Sequence, residues 1–241
     1  MPATYVIGDI HGALKALQQL LTRLELKTDD QLIFLGDYVN GWSDSVAVIT
    51  YLMALSQQYS CIFIKGNHDD WCESWLKGTL PPNSTLKNGR LGTVAGYNGL
   101  PVEERAQHTA FFSAMKDYYV DDKNRLFIHA GFTVTPGTMP FDHAMYKDRS
   151  LWELALTMDK RVAAHPELYP KILQQFHEIY IGHTPTLIYG KTMPMKACNV
   201  YNLDTGAAYL GRISAMNVNT GEVWQSDLAM ALYPNEKGRN A

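Results

Sequence analysis

The sequence has few cysteines, no long apolar run and no cluster of basic residues. Its three cysteines, Cys61, Cys72 and Cys198, are odd in number and widely spaced. This argues against a disulfide framework or a thiolate zinc site. No apolar run is long enough to span a bilayer, and no secretory signal segment precedes the first apolar stretch. We therefore expect a cytoplasmic protein that does not bind membranes.

Charge and length further limit the class of protein and its possible partners. The formal net charge is -3 and no run of lysine and arginine could follow a nucleic-acid backbone, so we expect no nucleic-acid partner. A chain of 241 residues with 46% hydrophobic content suits one large α/β domain over residues 1–241. The segment 78–105 is rich in Gly, Pro and Asn, which predicts a surface insertion. The sequence carries no signal for oligomeric state.

A short apolar strand that ends at glycine, followed by a side chain able to bind a metal, occurs three times near the N-terminus. The three stretches are residues 5–12, 32–38 and 61–69. Helical patterns follow the first two strands, at 12–24 and from residue 43 or 44 to 55, which makes adjacent parallel strands the natural arrangement. Open sheets of this kind bind ligands beyond the carboxyl ends of their strands. We therefore expect Asp9, His11, Asp37 and Asn67 to meet at one edge.

Two later segments repeat this strand pattern, whereas the C-terminal segments show alternating apolar and polar residues. Residues 125–131 and 178–184 are again short apolar strands, and they end at His129 and His183. Helical spacing predicts helices over 70–77, 104–119, 150–160 and 167–176. The alternating runs 197–203, 210–218 and 223–225 predict antiparallel strands of a second sheet, with a hairpin turn at 219–221.

The side chains that follow these strands form a mixed donor set without thiolates. Carboxylate, amide and imidazole donors suit Mn, Fe or Zn better than a structural zinc site. Two metal ions about 4 Å apart, bridged by one carboxylate, would activate a water and stabilise charge on a phosphoryl group. Aspartates after strands often only cap helices, but capping requires neither His11 nor Asn67. Four histidines lack such a context and are expected to serve packing or the surface: His108, His143, His165 and His177.

The motifs resemble those of the binuclear metallophosphatases (calcineurin-like phosphoesterases), in particular the serine/threonine phosphoprotein phosphatases with their bacterial and phage relatives. The family pattern is Gly-Asp-x-His-Gly, Gly-Asp-x-Val-Asp-Arg-Gly and Gly-Asn-His-Asp/Glu, followed by two later histidines. The first motif is intact at residues 8–12 and the third at 66–69, and the late histidines match His129 and His183. The resemblance extends from about residue 4 to 184.

The resemblance implies a fold of two mixed β-sheets sandwiched between helical layers. It also implies two divalent metal ions, of which Mn²⁺ would be supplied first and Fe or Zn would be alternatives. Asp9 and His11 would hold one ion, Asp37 would bridge, and the remaining ligands would be Asn67, His129 and His183. His68 would protonate the leaving group while a metal-activated hydroxide attacks in line, without a covalent intermediate.

The second motif departs from the family pattern, because Asn40 and Gly41 stand where the family has Asp and Arg. Asn40 could accept a hydrogen bond from His68 or present its amide nitrogen, but it lacks the charge that keeps an imidazole protonated. We therefore expect a slowed enzyme, whether the asparagine is natural or introduced. With no arginine at position 41, Arg149 is the candidate phosphate clamp, because it lies between the two late histidines.

Three interpretations follow. The main one is a serine/threonine protein phosphatase that hydrolyses phosphoproteins or small phosphoesters. The second is a hydrolase of dinucleoside polyphosphates such as diadenosine tetraphosphate, because the missing arginine weakens the substrate assignment more than the reaction class. The third is a binding protein that keeps its metal centre and has lost most of its catalysis.

Overall fold

The computed structural model describes residues 2–80, 87, 89–135 and 142–240. Ten strands lie in these ranges: β1 (Thr4–Ile7), β2 (Gln31–Phe34), β3 (Ser60–Phe63), β4 (Tyr118–Val120), β5 (Arg125–Ile128), β6 (Glu178–Ile181), β7 (Met195–Ala197), β8 (Val200–Asn202), β9 (Ser214–Asn217) and β10 (Val223–Gln225). Seven α-helices accompany them: α1 (Leu14–Leu24), α2 (Ser45–Leu55), α3 (Asn67–Leu76), α4 (Arg90–Asn98), α5 (Val102–Ala114), α6 (Ser150–Val162) and α7 (Ala229–Leu232).

The described strands form two mixed sheets of five strands each. The first sheet has the order β10-β9-β1-β2-β3, with β1, β2 and β3 parallel and β9 antiparallel to β1. The second has the order β4-β5-β6-β8-β7, with β5, β6 and β8 parallel and β4 and β7 antiparallel at its edges. The crossovers from β1 through α1 and from β2 through α2 produce the predicted parallel strands. The expected α/β fold with two mixed sheets is confirmed.

Successive side chains of a strand point to opposite faces of the sheet. One set therefore packs against the helices, and the other packs between the two sheets. In β1, Tyr5 and Ile7 pack with the helices of the first sheet, whereas Val6 faces the second sheet. In β6, Ile179 and Ile181 pack on the α6 side, and Tyr180 points into the layer between the sheets.

The layer between the sheets is an apolar core formed by residues from both of them. Its buried members are Val6, Ile33, Leu35, Phe127, Tyr180, Leu203, Met216 and Val218. Tyr180 stacks on Phe127 with ring centroids 5.0 Å apart and on Tyr201 at 4.9 Å, so a row of rings crosses the second sheet. This core holds the two sheets face to face and brings the carboxyl ends of their parallel strands to one cavity.

Two predicted helices differ from the structure. The helix expected over 104–119 ends at Ala114, and the residues after it become β4, which pairs with β5. The helix expected over 167–176 is replaced by two short 3₁₀ turns, Pro166–Leu168 and Leu173–Gln175. Pro170 explains the second difference, since proline has no N–H to donate and disfavours helical backbone at Tyr169.

The C-terminal strands also differ from expectation. The run 197–203 is not one strand, because the chain turns at Cys198 (φ 51°) and folds β7 back on β8. Strands β9 and β10 form the predicted hairpin, but they extend the first sheet beside β1 rather than the second. Within the segment 78–105, the described residues include α4, where Thr93 and Tyr97 are buried. No helix in the described ranges is long and apolar enough to cross a membrane.

Candidate metal centre

All six predicted ligands lie together where the parallel strands of both sheets end. Asp9, Asp37 and Asn67 follow β1, β2 and β3 of the first sheet, while His129 and His183 follow β5 and β6 of the second. Four of the six ligands line a cavity of about 370 Å³, whose lining residues are His11, Asp37, Asn67, His68, Arg90, Lys147, Arg149, His183, Pro185, Asp204, Tyr209 and Arg239. The structure therefore brings these residues together from distant segments of the chain, as the sequence predicts.

Asp37 lies at the centre of the cluster and reaches both sides of it. Its Oδ2 is 3.5 Å from Nε2 of His11, and its Oδ1 is 3.4 Å from Nε2 of His129. Two groups of potential ligand atoms share this residue, one with His11 and His68 and the other with His129 and His183, each within 4.8 Å of one another. A carboxylate in this position can contact two cations at once.

The remaining donors extend these two groups. Nε2 of His11 is also 3.7 Å from Oδ2 of Asp9, and Nε2 of His129 is 3.3 Å from Oδ1 of Asn67. The backbone N–H of His183 donates to both oxygens of Asp9 at 3.2 Å, which orients that carboxylate.

The hydrogen bonds on the outer nitrogens of the histidines fit a cation between these donors. Nδ1 of His11 faces the carbonyl oxygen of Asn40 at 2.8 Å, and Nδ1 of His129 faces that of Leu35 at 2.8 Å. A carbonyl only accepts, so each Nδ1 carries a proton and, in the neutral ring, Nε2 presents a lone pair to the carboxylates. Electron-rich atoms that face one another are stabilised by positive charge between them, which a proton or a metal ion can supply, and this donor set suits a divalent metal.

The pKa shifts reflect the same crowding of charge. Burial alone would raise the pKa of Asp37, but His129, His68 and His11 hold it well below its usual range. Burial opposes a charge on His129, yet Asp37 overcomes this and raises the pKa of His129 to about 10. Burial, aided by the charge of His129, lowers the pKa of His183 to about 3. The buried carboxylate of Asp37 thus favours positive charge at the centre of the site.

Backbone strain is concentrated at the site. His11, Asp37, Asn40 and His183 all have left-handed backbone, with φ of 51°, 55°, 67° and 66°. Such residues cost about 1–3 kcal/mol each and persist where the surrounding structure holds them. A Cβ at Gly182 would lie 2.1 Å from Oδ1 of Asp9. Glycine at this position therefore lets a ligand carboxylate pack directly on the backbone.

Asp69, the last residue of the third motif, fastens the loop that carries Asp37. Its carboxylate accepts the backbone N–H groups of Asp37 at 2.7 Å, Tyr38 at 2.9 Å and Gly66 at 2.9 Å. These bonds join the ends of β2 and β3. The N–H of His68 donates to Oδ1 of Asp37 at 2.9 Å, so the third motif also orients the central ligand.

His68 contacts Asn40 through the amide nitrogen. Nδ2 of Asn40 is 3.0 Å from Nδ1 of His68, whereas Oδ1 of Asn40 is buried with no hydrogen-bond partner among the described residues. Of the two arrangements considered for Asn40, the structure has the one in which the amide donates. Nδ1 is then the acceptor, and the proton of a neutral His68 is on Nε2. Burial lowers the pKa of His68 well below its usual value.

Four cationic side chains line the cavity, and only Arg149 was predicted. Arg149 and Lys147 are exposed and lie in the chain between β5 and α6. Arg90 and Arg239 are partly buried and come from the start of α4 and the chain after α7. The positive charges of Arg239 and Arg90 contribute to the low pKa of His68, and that of Arg149 contributes to the low pKa of His183.

Asp204 is a site residue that the sequence analysis missed. It follows β8, which is parallel to β6, and so obeys the same rule as the predicted ligands. It is 3% exposed, lines the cavity, and accepts the N–H of Gly206 at 2.9 Å. Burial and the nearby Asp9 raise the pKa of Asp204 to about 8. The sequence pattern that could have identified Asp204 is the apolar run before it and the glycine two residues after it.

Comparison with known proteins agrees with this geometry. Residues 3–199 match the family model described as calcineurin-like phosphoesterase. The chain is 26% identical over 229 residues, 88% of each chain, to the protein of Bacillus mycoides (strain KBAB4) named bis(5'-nucleosyl)-tetraphosphatase PrpE [asymmetrical]. It is 24% identical over 249 residues, 96% of each chain, to the protein of the same name from Bacillus cereus (strain Q1).

Solved structures share the fold. A putative diadenosine tetraphosphatase superposes with a TM-score of 0.64 at 18% identity, covering 93% of this chain and 95% of that one. A protein serine/threonine phosphatase from Saccharomyces cerevisiae superposes with a TM-score of 0.59 at 14% identity, covering 100% and 84%. Because the family model spans most of the chain and the expected ligand residues converge, the protein is a hydrolase that belongs to the calcineurin-like phosphoesterase family, whose members bind a binuclear metal centre.

Proposed function

We propose that this protein is a metal-dependent hydrolase of dinucleoside polyphosphates, which it cleaves at a phosphoanhydride bond. The observation that carries this proposal is the contact between Asn40 and His68, where the family pattern has an aspartate. The names of the relatives, bis(5'-nucleosyl)-tetraphosphatase and putative diadenosine tetraphosphatase, support the same choice. The expectation of a serine/threonine protein phosphatase gives way to the second sequence-based interpretation.

In this proposal the six converging side chains would hold two divalent cations. Asp9 and His11 would hold one ion, Asn67, His129 and His183 would hold the other, and Asp37 would serve both. Such a pair, when bound, activates water and neutralises charge on the phosphoryl oxygens. The chain contributes the geometry: carbonyl groups fix the ring orientation of His11 and His129, and backbone N–H groups fix the carboxylates of Asp9 and Asp37.

The leaving group decides between the two substrate classes. Release of a serine or threonine alkoxide requires a strong general acid, because the alkoxide is a strong base. A phosphate group is a much weaker base, with a second pKa of about 6, and leaves with little or no protonation. His68 has only an amide beside Nδ1, and although the carboxylate of Asp37 favours the imidazolium, burial outweighs it and lowers the pKa of His68 well below its usual value. This arrangement suits an anhydride substrate better than an alkyl phosphate ester.

The charge of the cavity favours the same class. Arg90, Lys147, Arg149 and Arg239 all line it. A single phosphomonoester carries up to two negative charges, whereas a tetraphosphate bridge carries one on each of its four phosphates. Guanidinium groups bind phosphate oxygens through paired hydrogen bonds, and several of them at one cavity match a chain of phosphates.

The test compares three substrates under one set of conditions with Mn²⁺. Diadenosine tetraphosphate, p-nitrophenyl phosphate and a phosphoserine peptide are assayed at matched enzyme and metal concentrations, with Asp37→Asn as the inactive control. We expect kcat/KM for the tetraphosphate to exceed that for the phosphopeptide at least 100-fold.

Two other outcomes would contradict the proposal, and each would identify a different function. Faster hydrolysis of the phosphopeptide would identify a protein phosphatase. No hydrolysis of any substrate, with metal shown to be bound by elemental analysis, would identify the protein as a metal-containing binder.

A further inference from the structure

We propose that Arg90 and Arg239 form a second anion subsite at the His68 end of the cavity, which binds the leaving phosphate rather than the phosphate under attack. This inference rests on the proposed function and adds to it the recognition of one particular phosphate. Arg149, near His183, is then left to bind the phosphate under attack. The two guanidinium groups would make the enzyme prefer substrates whose leaving group is itself a phosphate chain.

The subsite begins at the glycine that stands in place of the family's arginine. A Cβ at Gly41 would lie 2.6 Å from the carbonyl oxygen of His11, so no larger side chain fits there without movement of the backbone. On the other side, a Cβ at Gly89 would lie 2.6 Å from the backbone nitrogen of Gly41 and 2.8 Å from its Cα. The chain before α4 therefore packs directly on Gly41, and the next residue is Arg90.

Arg90 is held against the helix that carries His68. The carbon at the centre of its guanidinium group lies 4.4 Å from the centroid of the Trp71 ring, and Trp71 is three residues after His68 on α3. Residues three apart share one side of a helix. Arg90 and His68 both line the cavity, so Arg90 borders the same cavity as the proposed acid.

Arg239 reaches the same region from the far end of the chain. Its backbone N–H donates to Ala208 at 2.8 Å, and its guanidinium group lies 5.1 Å from the Tyr209 ring centroid. Gly238 has φ of 56°, and a Cβ there would lie 2.8 Å from the ring of Trp42. These contacts fix the backbone that carries Arg239 over the residues that follow Gly41.

The charge of Arg239 is not neutralised by any carboxylate that the structure describes. Its Nε also has no hydrogen-bond partner in the part of the chain that the structure describes. No ion pair of Arg239 with a carboxylate occurs within those residues. Arg90 and Arg239 line the same cavity. Burial, and after it the charge of Arg239, lowers the pKa of Arg90, which agrees with this placement. Two cations lining one cavity favour the binding of a doubly charged phosphate.

The chemistry of the step explains why a subsite at this end would matter. The oxygen of water bonds to the attacked phosphorus, and the bond from that phosphorus to the bridging oxygen breaks. The bridging oxygen keeps the electron pair, so negative charge develops on the leaving phosphate, and the proton released by water passes to solvent. Arginines placed on that phosphate stabilise the charge as it forms, which offsets the weak acid at His68.

The test measures a substrate ratio. In Arg90→Ala and Arg239→Ala, we expect the ratio of kcat/KM for diadenosine tetraphosphate to that for p-nitrophenyl phosphate to fall about 10–100-fold. Arg149→Ala is expected to lower both values and leave this ratio within about 3-fold, since it acts on the phosphate that both substrates share. Arg161→Ala removes an exposed charge on α6 and is the control for net charge. Arg239→Lys, which keeps the charge, should restore part of the ratio.

A second readout keeps this inference separate from the proposed function. Inorganic tripolyphosphate and orthophosphate are titrated into the protein by calorimetry, without turnover. We expect Arg239→Ala and Arg90→Ala to weaken tripolyphosphate binding at least 10-fold more than orthophosphate binding. If the unaltered chain fails to hydrolyse the tetraphosphate, the proposed function fails, and this titration still decides on the subsite. Equal weakening of both anions, or an unchanged substrate ratio in folded variants, would overturn the subsite.

Discussion

Replacing Asn40 by aspartate restores the family residue at the contact with His68, and we expect it to change the enzyme's response to the leaving group. The substitution is conservative in shape, and aspartate tolerates the left-handed backbone (φ 67°) that Asn40 adopts. Oδ1 of Asn40 is buried without a partner among the residues that the structure describes, and Nδ2 lies 3.0 Å from Nδ1 of His68. A carboxylate there would accept a hydrogen bond from the N–H at Nδ1, whereas the amide donates one to Nδ1.

The expected change in rate follows from the separation between the new carboxylate and the imidazolium of His68. Opposite charges about 4 Å apart attract by about 4 kcal/mol at an effective dielectric constant of about 20. Desolvation of the new carboxylate, which is fully buried at this position, offsets part of this. General acid catalysis contributes about 10²–10⁴-fold to rate, so we expect the lower end, about 100-fold in kcat, for a substrate with a strongly basic leaving group. The gain for diadenosine tetraphosphate should stay below about 10-fold, because a phosphate leaves without protonation.

The assay compares Asn40→Asp with the unaltered chain on a phosphoserine peptide and on diadenosine tetraphosphate. Metal content is measured in both proteins, and Asn98→Asp, at an exposed position on α4, controls for the added charge. An equal gain on both substrates would refute the argument from the leaving group. No gain on the peptide at matched metal content would refute the role given to His68.

Three further predictions concern the ligands, the stability of the fold and the missing arginine. Asp37→Asn should lower bound Mn²⁺ and reduce kcat at least about 100-fold, since Asp37 is the shared donor; elemental analysis showing undiminished metal would contradict this. Glu73 has its pKa lowered from 4.5 to about 2; burial opposes this, but bonds from Lys65 and other donors outweigh it. Glu73→Gln should therefore cost about 2–3 kcal/mol of unfolding free energy at pH 7, and this difference should shrink as the pH falls from 4.5 towards 2, which urea unfolding would measure; a difference independent of pH would argue against the pair. Gly41→Arg should lower the melting temperature by about 5 °C or more rather than restore activity, because a Cβ there meets the carbonyl oxygen of His11 at 2.6 Å; a stable variant would show that the loop can move.

The ligand set could be predicted because each member follows a strand within a few residues. An apolar strand, a glycine and a donor side chain form a local pattern, and parallel pairing brings such patterns to one edge. The same rule covers Asp204 after β8. It was missed because residues 197–203 look like one strand, whereas the left-handed backbone of Cys198 (φ 51°) divides them into a hairpin.

The residues that the sequence could not indicate are those placed by long-range packing. Arg90 reaches the cavity because Gly89 packs on Gly41, and Arg239 does so because Gly238 packs on Trp42. Neither arginine belongs to a motif, and nothing in its local sequence distinguishes it from a surface residue. The membership of β9 and β10 in the first sheet is likewise a matter of tertiary packing, since a hairpin pattern does not identify its neighbouring strand.

The central claim is that six side chains from two sheets hold a pair of cations. Anomalous diffraction from crystals soaked in Mn²⁺ tests it without relying on activity. We expect two manganese peaks that share Asp37, one also contacting Asp9 and His11 and the other also contacting Asn67, His129 and His183. A cavity without manganese, or manganese bound only away from Asp37, would contradict it.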